Sequence, residues 1–360
     1  MDGLTALVFS NRCYHSGTQS EPDVSTIHEV AKRAGVSTAT VSRVMSGPRQ
    51  SVSPETRERV LRAVAVLGYE PNAAAKNLRT LRSGKLLVTV PDISNPFFSL
   101  ILQGIEEAAV REGYSVLLGD TQHDAKREER YALMLKTKEA DGLIFLGHRL
   151  PKEAARLVQD SGPRCAPIVN GCEFSPRLGV PSVHIDNAKA AYEAMDHLYG
   201  LGHRRIGVVT GPLASPLSRD RLRGTMLRAK AAGAKDTLSV MQGDFSIESG
   251  LEACARLIDT IDRPTAVFCF NDEMAIGAIE AANRHSVDVP GELSVVGFDD
   301  IRFSRHLRPP LTTIAQPMRD IGEGCVRLLL EILRGNTIAP VSVTLAHELV
   351  IRGTTAAPRS

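Results

Sequence analysis

The sequence predicts an N-terminal all-α helix-turn-helix headpiece followed by a larger α/β body of doubly wound parallel sheets. Three observations carry this expectation. Charge divides along the chain: residues 24–82 hold ten Lys or Arg against four Asp or Glu, a net +6, and since the whole chain is +2 the remainder carries −4. Helical periodicity fills the basic segment. From Lys85 onward, strand-length apolar runs alternate with helical stretches, the pattern of parallel sheets covered on both faces. A basic head on a mildly acidic body suggests a polyanion-binding module joined to a second unit.

In the headpiece, Thr26 and Glu29 have the spacing of a capping box, in which each side chain satisfies a free backbone N–H of the first turn. Ile27, Val30, Ala31 and Ala34 then recur at i, i+3, i+4 and i+7, and Gly35 permits the positive φ of a tight turn. Ser37 is a good N-cap for a second helix, with Val41, Val44 and Met45 facing inward while Thr38, Ala39, Ser42 and Arg43 share the outer side. A third helix is expected to start at Ser53-Pro54 and run through Val60, Leu61, Val64 and Leu67 to Gly68. Two short helices cannot bury a core alone, so the third braces them. Periodicity leaves open a three-helix domain that binds protein. After Pro71, Asn72 can cap a helix from Ala73 to about Leu81, with Lys76, Arg79 and Arg82 around the apolar Leu78. Nine residues fall short of the roughly 12 to 15 at which an isolated helix becomes marginally stable. This segment needs a partner, and its charge points to DNA.

In the body, strands are expected at Leu86–Val90, Ser115–Gly119, Gly142–Leu146, Ile168–Asn170, Val183–Ile185, Ile206–Val209, Ala266–Phe270 and Leu293–Phe298. About 270 residues is large for one sheet, so two similar lobes are expected, with a ligand in the crevice beyond the C-terminal strand ends. Phe97 and Phe98 could supply an apolar face to a ring in a chain with 4% aromatics. Asp186, Asn271 and Asp299 each end a strand-like run and could hydrogen-bond hydroxyls. Helix capping by the three polar residues and core packing by the two phenylalanines remain open alternatives.

Other classes are disfavoured. The chain has no G-x-G-x-x-G after its first strand, no G-x-x-x-x-G-K-[ST] and no G-x-S-x-G, so no enzyme activity, catalytic residue or nucleotide cofactor is expected. Its six cysteines, Cys13, Cys165, Cys172, Cys254, Cys269 and Cys325, form no CxxC or CxxH pair. They read as buried or incidental thiols of a reducing compartment, with no metal site. No apolar run approaches the roughly 18 to 20 residues of a membrane span. Met1-Asp2-Gly3 opens no basic n-region and Leu4–Phe9 is too short for a signal h-region, so a cytoplasmic protein without membrane contact is expected.

The run Ile27-His28-Glu29-Val30-Ala31-Lys32-Arg33-Ala34-Gly35-Val36-Ser37-Thr38-Ala39-Thr40-Val41-Ser42-Arg43-Val44 resembles the headpiece of the lactose and purine repressor family. Val52-Ser53-Pro54-Glu55-Thr56-Arg57 and Leu67-Gly68-Tyr69-Glu70-Pro71-Asn72 extend the likeness. It continues through the body, in Val90-Pro91-Asp92-Ile93-Ser94-Asn95-Pro96-Phe97-Phe98-Ser99 and Leu311-Thr312-Thr313-Ile314-Ala315-Gln316-Pro317, as far as Gly353. Within the family it is strongest to the cytidine-responsive branch. Cys269-Phe270-Asn271-Asp272-Glu273 instead resembles sugar-responsive members.

The resemblance implies a transcriptional regulator with a periplasmic-binding-protein-like body. Its partners would be double-stranded operator DNA, a small effector (a nucleoside such as cytidine, or else ribose or another pentose) and a second copy of itself in a homodimer. A sugar-binding protein without a DNA role is the remote alternative. The resemblance places Thr38, Ala39 and Arg43 at base edges and neighbouring groups such as Thr40, Ser42, Asn72 and Lys76 on DNA, with Leu78 wedging into the minor groove. It also assigns Arg221 and Phe245 to the effector. Arg43 could instead touch phosphate alone, Leu78 could be junction core, and Arg221 could hold an internal salt bridge. No leucine heptad follows Ile351, which favours a dimer over a tetramer. The implied organisation is an extension at 1–23, a helix-turn-helix domain at 24–71, a hinge helix and linker at 72–83, the body at 84–353 and a tail at 354–360. The N-lobe is expected to take about 84–187 and 316–337, and the C-lobe about 188–315 and 338–353.

Overall fold

The computed structural model describes residues 25–45, 52–70, 82–160, 166–233, 238–336 and 341–359, and it divides into two units, Met1–Thr80 and Leu81–Ser360. The expected extension at 1–23 and the hinge-helix residues Asn72, Lys76 and Leu78 lie outside the described residues.

The first unit holds α1 (Ile27–Ala34), α2 (Thr38–Met45) and α3 (Pro54–Leu67). Side-chain chemistry sets each boundary. The Thr26/Glu29 capping box closes on α1, and Gly35 ends it in the left-handed conformation. Ser37 Oγ accepts from Thr40 N at 3.2 Å, while Ser53 Oγ caps α3 ahead of Pro54. Val30, Val41 and Val60 are fully buried at the centre, with Ala31, Ala34, Val44 and Ala63 around them. Leu61 is a correction to the expected inward row, because it is 47% exposed. The row Val60, Ala63, Val64, Leu67 follows i, i+3, i+4, i+7, and Leu61 sits one residue, about 100°, off it. Two hydrogen bonds tie the helices together: Arg57 donates to Val44 O at the end of α2, and Ser25 Oγ to Leu67 O.

The second unit alternates strands and helices: β1 (Lys85–Val90), α4 (Pro96–Arg111), β2 (Ser115–Asp120), α5 (Ala125–Lys136), β3 (Gly142–Phe145), α6 (Lys152–Asp160), β4 (Ile168–Gly171), β5 (Ser182–Ile185), α7 (Asn187–Gly200), β6 (Ile206–Thr210), α8 (Pro216–Ala231), β7 (Leu238–Gln242), α9 (Ile247–Ile258), β8 (Ala266–Cys269), α10 (Asp272–Arg284), β9 (Ser294–Asp299), β10 (Thr312–Ala315), α11 (Met318–Leu333), β11 (Ser342–Leu345) and β12 (Glu348–Val350). Two six-stranded sheets result, ordered β11-β5-β4-β3-β1-β2 and β12-β10-β9-β8-β6-β7. All strand pairs described run parallel except β10 with β12, which are antiparallel. Central strands β3, β4, β5, β8 and β9 are buried throughout, as expected where helices cover both faces. The lobe boundary expected at 338 moves, since β11 pairs with β5 (Ser342 beside Ser182) and extends the N-lobe sheet. Only β12 then returns to the C-lobe. The chain therefore passes between lobes three times, after β5, after β10 and after β11.

Helix pairs in each lobe cross where glycines meet backbone. On α4 and α11, a Cβ at Gly104 would overlap Arg319 O and one at Gly322 would overlap Ile101 O; on α9 and α10, Gly250 and Gly277 oppose Met274 O and Ile247 O in the same way. Such contact brings whole helix faces together, burying Ile101, Ile105, Ile321 and Leu329 in one lobe and Cys254, Leu257, Ala278 and Ala281 in the other. Cys172, Cys254, Cys269 and Cys325 are buried free thiols.

Candidate functional site

Two regions gather the residues singled out by the sequence. On the headpiece, α2 turns Val41 and Val44 into the core, which leaves Ala39 and Arg43 exposed one turn apart and Thr38, Thr40 and Ser42 half-buried beside them. A short helix braced by two others thus presents small, hydroxyl and guanidinium groups along one face. That is the geometry of a helix read by a groove.

In the body, the candidate residues other than Asp186 lie where strands of the two lobes end. Arg221, on the inner face of α8, is 3% exposed. Its Nε donates to Asn187 Oδ1 at 2.9 Å, one terminal nitrogen donates to Phe270 O, the other lies 3.7 Å from Asp299 Oδ1, and the guanidinium stacks 3.6 Å from the Phe298 ring. Asp299 ends β9 with φ 116, in a region that costs a non-glycine residue on the order of 1–3 kcal/mol. Gln316 Nε2 holds its Oδ1 at 2.7 Å. Burial pushes the Asp299 carboxyl up and the Arg221 guanidinium down, each against the pull of the other's charge. Beneath them, Asp272 accepts from Ile301 N, Ser304 Oγ and Thr313 Oγ1, and burial raises its carboxyl to about 6.

Phe97 and Phe98 open α4 behind the Asn95 cap, their rings 5.2 Å apart and edge to face. Both belong to the N-lobe core, where Ile301 from the opposite lobe joins them. Asn271 caps α10 through Met274 N, and its Nδ2 reaches Phe245 O at 2.8 Å. Phe245 is half-buried with φ 76. Asp186 lies apart from this cluster. It is exposed, caps α7 through Ala188 N and Lys189 N, and lines an open hollow of about 440 Å³ with Phe174, His184, Arg219 and Asp220.

Sequence reasoning missed three polar residues here. Glu173, two residues past β4, is buried, and its Oε2 accepts from Ser215 Oγ at 2.7 Å, joining N-lobe to C-lobe; His148 Nδ1 stands 3.8 Å from the same oxygen. Asn170, in β4, gives its Nδ2 to Phe145 O and Gly147 O while its buried Oδ1 has no partner. The rule that picked Asp186 and Asp299, a polar residue at or just beyond a strand end, reaches both. Ser215, which precedes α8, carried no comparable signal.

Burial raises the Glu173 carboxyl to about 7, against the opposing Ser215 hydrogen bond and the Arg221 and Arg219 charges. A carboxyl raised on folding contributes stability that is fully present below its unfolded value near 4.5 and is lost as pH rises through 7. Thermal unfolding of wild type from pH 6 to 8 should show about 1 kcal/mol lost to this group alone. Glu173→Gln should remove that share, and an unchanged pH slope in the variant would assign the titration elsewhere.

Among the described residues no helix is long and apolar enough to cross a membrane, and no three His, Cys, Asp or Glu side chains are grouped to hold a metal ion.

Comparison with known proteins matches residues 26–72 to bacterial regulatory proteins of the lacI family and residues 195–355 to a periplasmic binding protein-like domain. The chain is 42% identical over 340 residues to the HTH-type transcriptional repressor CytR of Escherichia coli K12, covering 94% of this chain and 98% of that protein. Its structure is similar to the lac repressor dimer bound to operator and the anti-inducer ONPF, with a TM-score of 0.83, 30% identity and coverage of 93% and 100%. A LacI family regulator from Enterococcus faecium with bound ribose matches with a TM-score of 0.69 and 27% identity, over 76% of this chain and 100% of that one.

Proposed function

The chain belongs to the lacI family of bacterial regulatory proteins and is a DNA-binding transcriptional repressor rather than an enzyme, and from that premise we propose that a nucleoside such as cytidine, held between its lobes, controls its grip on the operator. The observation that carries the reading is the Arg221–Asp299–Gln316 cluster at the C-lobe strand ends, facing a loop whose Glu173 already bridges to Ser215. Donors and acceptors there suit a ribose ring, and Phe97, Phe98 and Phe245 suit a base. A ligand that touches both lobes binds one mutual angle better than another, so it shifts the population of that angle. Two copies, related by a two-fold axis, would couple the angle to paired hinge helices over a pseudo-palindromic site. In this reading Thr38, Ala39 and Arg43 meet base edges, Thr40, Ser42, Asn72 and Lys76 meet neighbouring groups, and Leu78 wedges the minor groove. Asp186, exposed and apart from this cluster, would meet the effector only from the neighbouring hollow that it lines.

The test is an operator titration followed by fluorescence anisotropy, with and without cytidine. A tenfold change in operator affinity would correspond to about 1.4 kcal/mol of coupling. No change with cytidine, together with a change on D-ribose, would establish the pentose reading, which the Asn271 motif and the ribose-bound relative favour.

Arg43→Ala should weaken operator binding roughly ten- to a hundredfold, from about 1–3 kcal/mol of base discrimination, and relax the sequence preference at one position of each half-site. Selection from random DNA reads this directly. Uniform weakening across all sequences would reassign Arg43 to phosphate.

A further inference from the structure

We propose that Asn271 shapes effector choice as a positioning residue, by holding Phe245 in place, rather than by touching the effector itself; this rests on the reading of the cleft as a nucleoside site. Each end of the Asn271 carboxamide makes a hydrogen bond within the protein, and the one at Nδ2 ties it to Phe245. Oδ1 accepts from Met274 N at 2.9 Å as the cap of α10, and Nδ2 donates to Phe245 O at 2.8 Å. The side chain is 2% exposed.

Phe245 needs such a restraint. Its φ of 76 places a bulky residue in left-handed backbone, a conformation that persists only where neighbours over-determine it. Asn271 fixes the carbonyl. The turn around it is fixed separately, with Asp244 Oδ1 accepting from Ser246 N and Ser249 Oγ accepting from Asp244 N. On the other side the ring lies against Gly211, directly after β6, so closely that any Cβ there would overlap the ring. Residues following β6, β7 and β8 thus act together: Gly211 admits the ring, Phe245 supplies it and Asn271 sets its height. A ring placed this way offers a flat face to a planar heterocycle and little to a sugar's hydroxyls.

Asn271→Ser separates capping from positioning. Serine caps a helix about as well as asparagine, but its hydroxyl is too short to serve Met274 N and reach Phe245 O as well. Gly211→Ala displaces the ring from the opposite side. The probes are cytidine, which carries a base, and D-ribose, which does not, measured by isothermal titration on the full chain. Each variant should lose about tenfold in cytidine affinity, the scale of one aromatic stacking contact, while ribose affinity changes less than about twofold. Asn271→Ser combined with Phe245→Ala should be no worse than Phe245→Ala alone. If Phe245→Ala weakens cytidine but Asn271→Ser does not, the positioning role is overturned while the cleft reading stands. Equal losses for cytidine and ribose in Asn271→Ser would also overturn it, in favour of direct contact. If Phe245→Ala leaves cytidine binding unchanged, the cleft reading of Phe245 fails, and the positioning role fails with it.

Discussion

Arg221→Ala should both destabilise the body and abolish its response to effector. Removing the guanidinium leaves the buried Asp299 with Gln316 as its hydrogen-bond partner and strips donors from Asn187 and Phe270 O. Breaking one side of a buried pair costs about 3–5 kcal/mol, enough to lower a melting temperature by on the order of 10 °C in a domain of this size. The effector should then fail to shift operator affinity, because a ligand that no longer binds cannot bias an equilibrium. Stability and sensing can be separated with a second change. Adding Asp299→Asn replaces the buried carboxyl that has lost its partner with an amide and should recover part of the melting temperature, yet not the response. A lone Arg221→Ala protein with wild-type melting and wild-type response would show that the cluster is neither structural nor sensory.

Gly322→Leu should be at least as damaging. Its side chain would grow into Ile101 O, which is backbone and cannot rotate away, so α4 and α11 must separate and uncover the N-lobe core between them. Overpacking of flexible neighbours costs about 1–3 kcal/mol, and a main-chain obstacle costs more. Loss of soluble protein, or a melting transition lowered by on the order of 10 °C, the scale of about 3–5 kcal/mol, is the expected result by circular dichroism. Gly200→Ala is the control, because the end of α7 is open around it and helix propensity there favours alanine by up to about 1 kcal/mol. Equal behaviour of the two variants would mean that the helix crossing tolerates separation.

Much of this architecture was legible in sequence where the signal is local. Caps depend on residues three positions apart, so Thr26 with Glu29 and Ser53 with Pro54 marked true helix starts. Strands buried on both faces are continuous apolar runs, and seven of the eight readable strands are of this kind; the eighth, β2, sits at an edge and was read from Val116-Leu117-Leu118. The four that were not, β7, β10, β11 and β12, have different reasons. In β7, β11 and β12 an edge position leaves residues alternately or partly exposed, which dilutes the apolar signal. In β10, Thr312 and Thr313 are buried because Thr354, Thr355 and Asp272 bond them, partners supplied by tertiary structure. The site divides the same way. Asp299 and Asn271 were found because they end strands, whereas the reach of Arg221 to Phe270 O and the bridge from Glu173 to Ser215 join residues 49 and 42 positions apart. Periodicity has no access to such distances.

The three passages of the chain between lobes also set a schedule for synthesis. Ile101 and Ile105 on α4 are covered by α11, and β5 receives its outer neighbour in β11, yet both covering elements are made only after the whole of β6 through β10. At about 5–20 residues per second, the first lobe waits on the order of 10–40 s on the ribosome with that face unfinished. The lobe encoded first therefore stays open through most of the synthesis of the second, and a message truncated just after β10, before residue 318, yields a nascent chain whose second lobe lacks only β12 and the residues beyond it while its first remains open to chaperones and proteases.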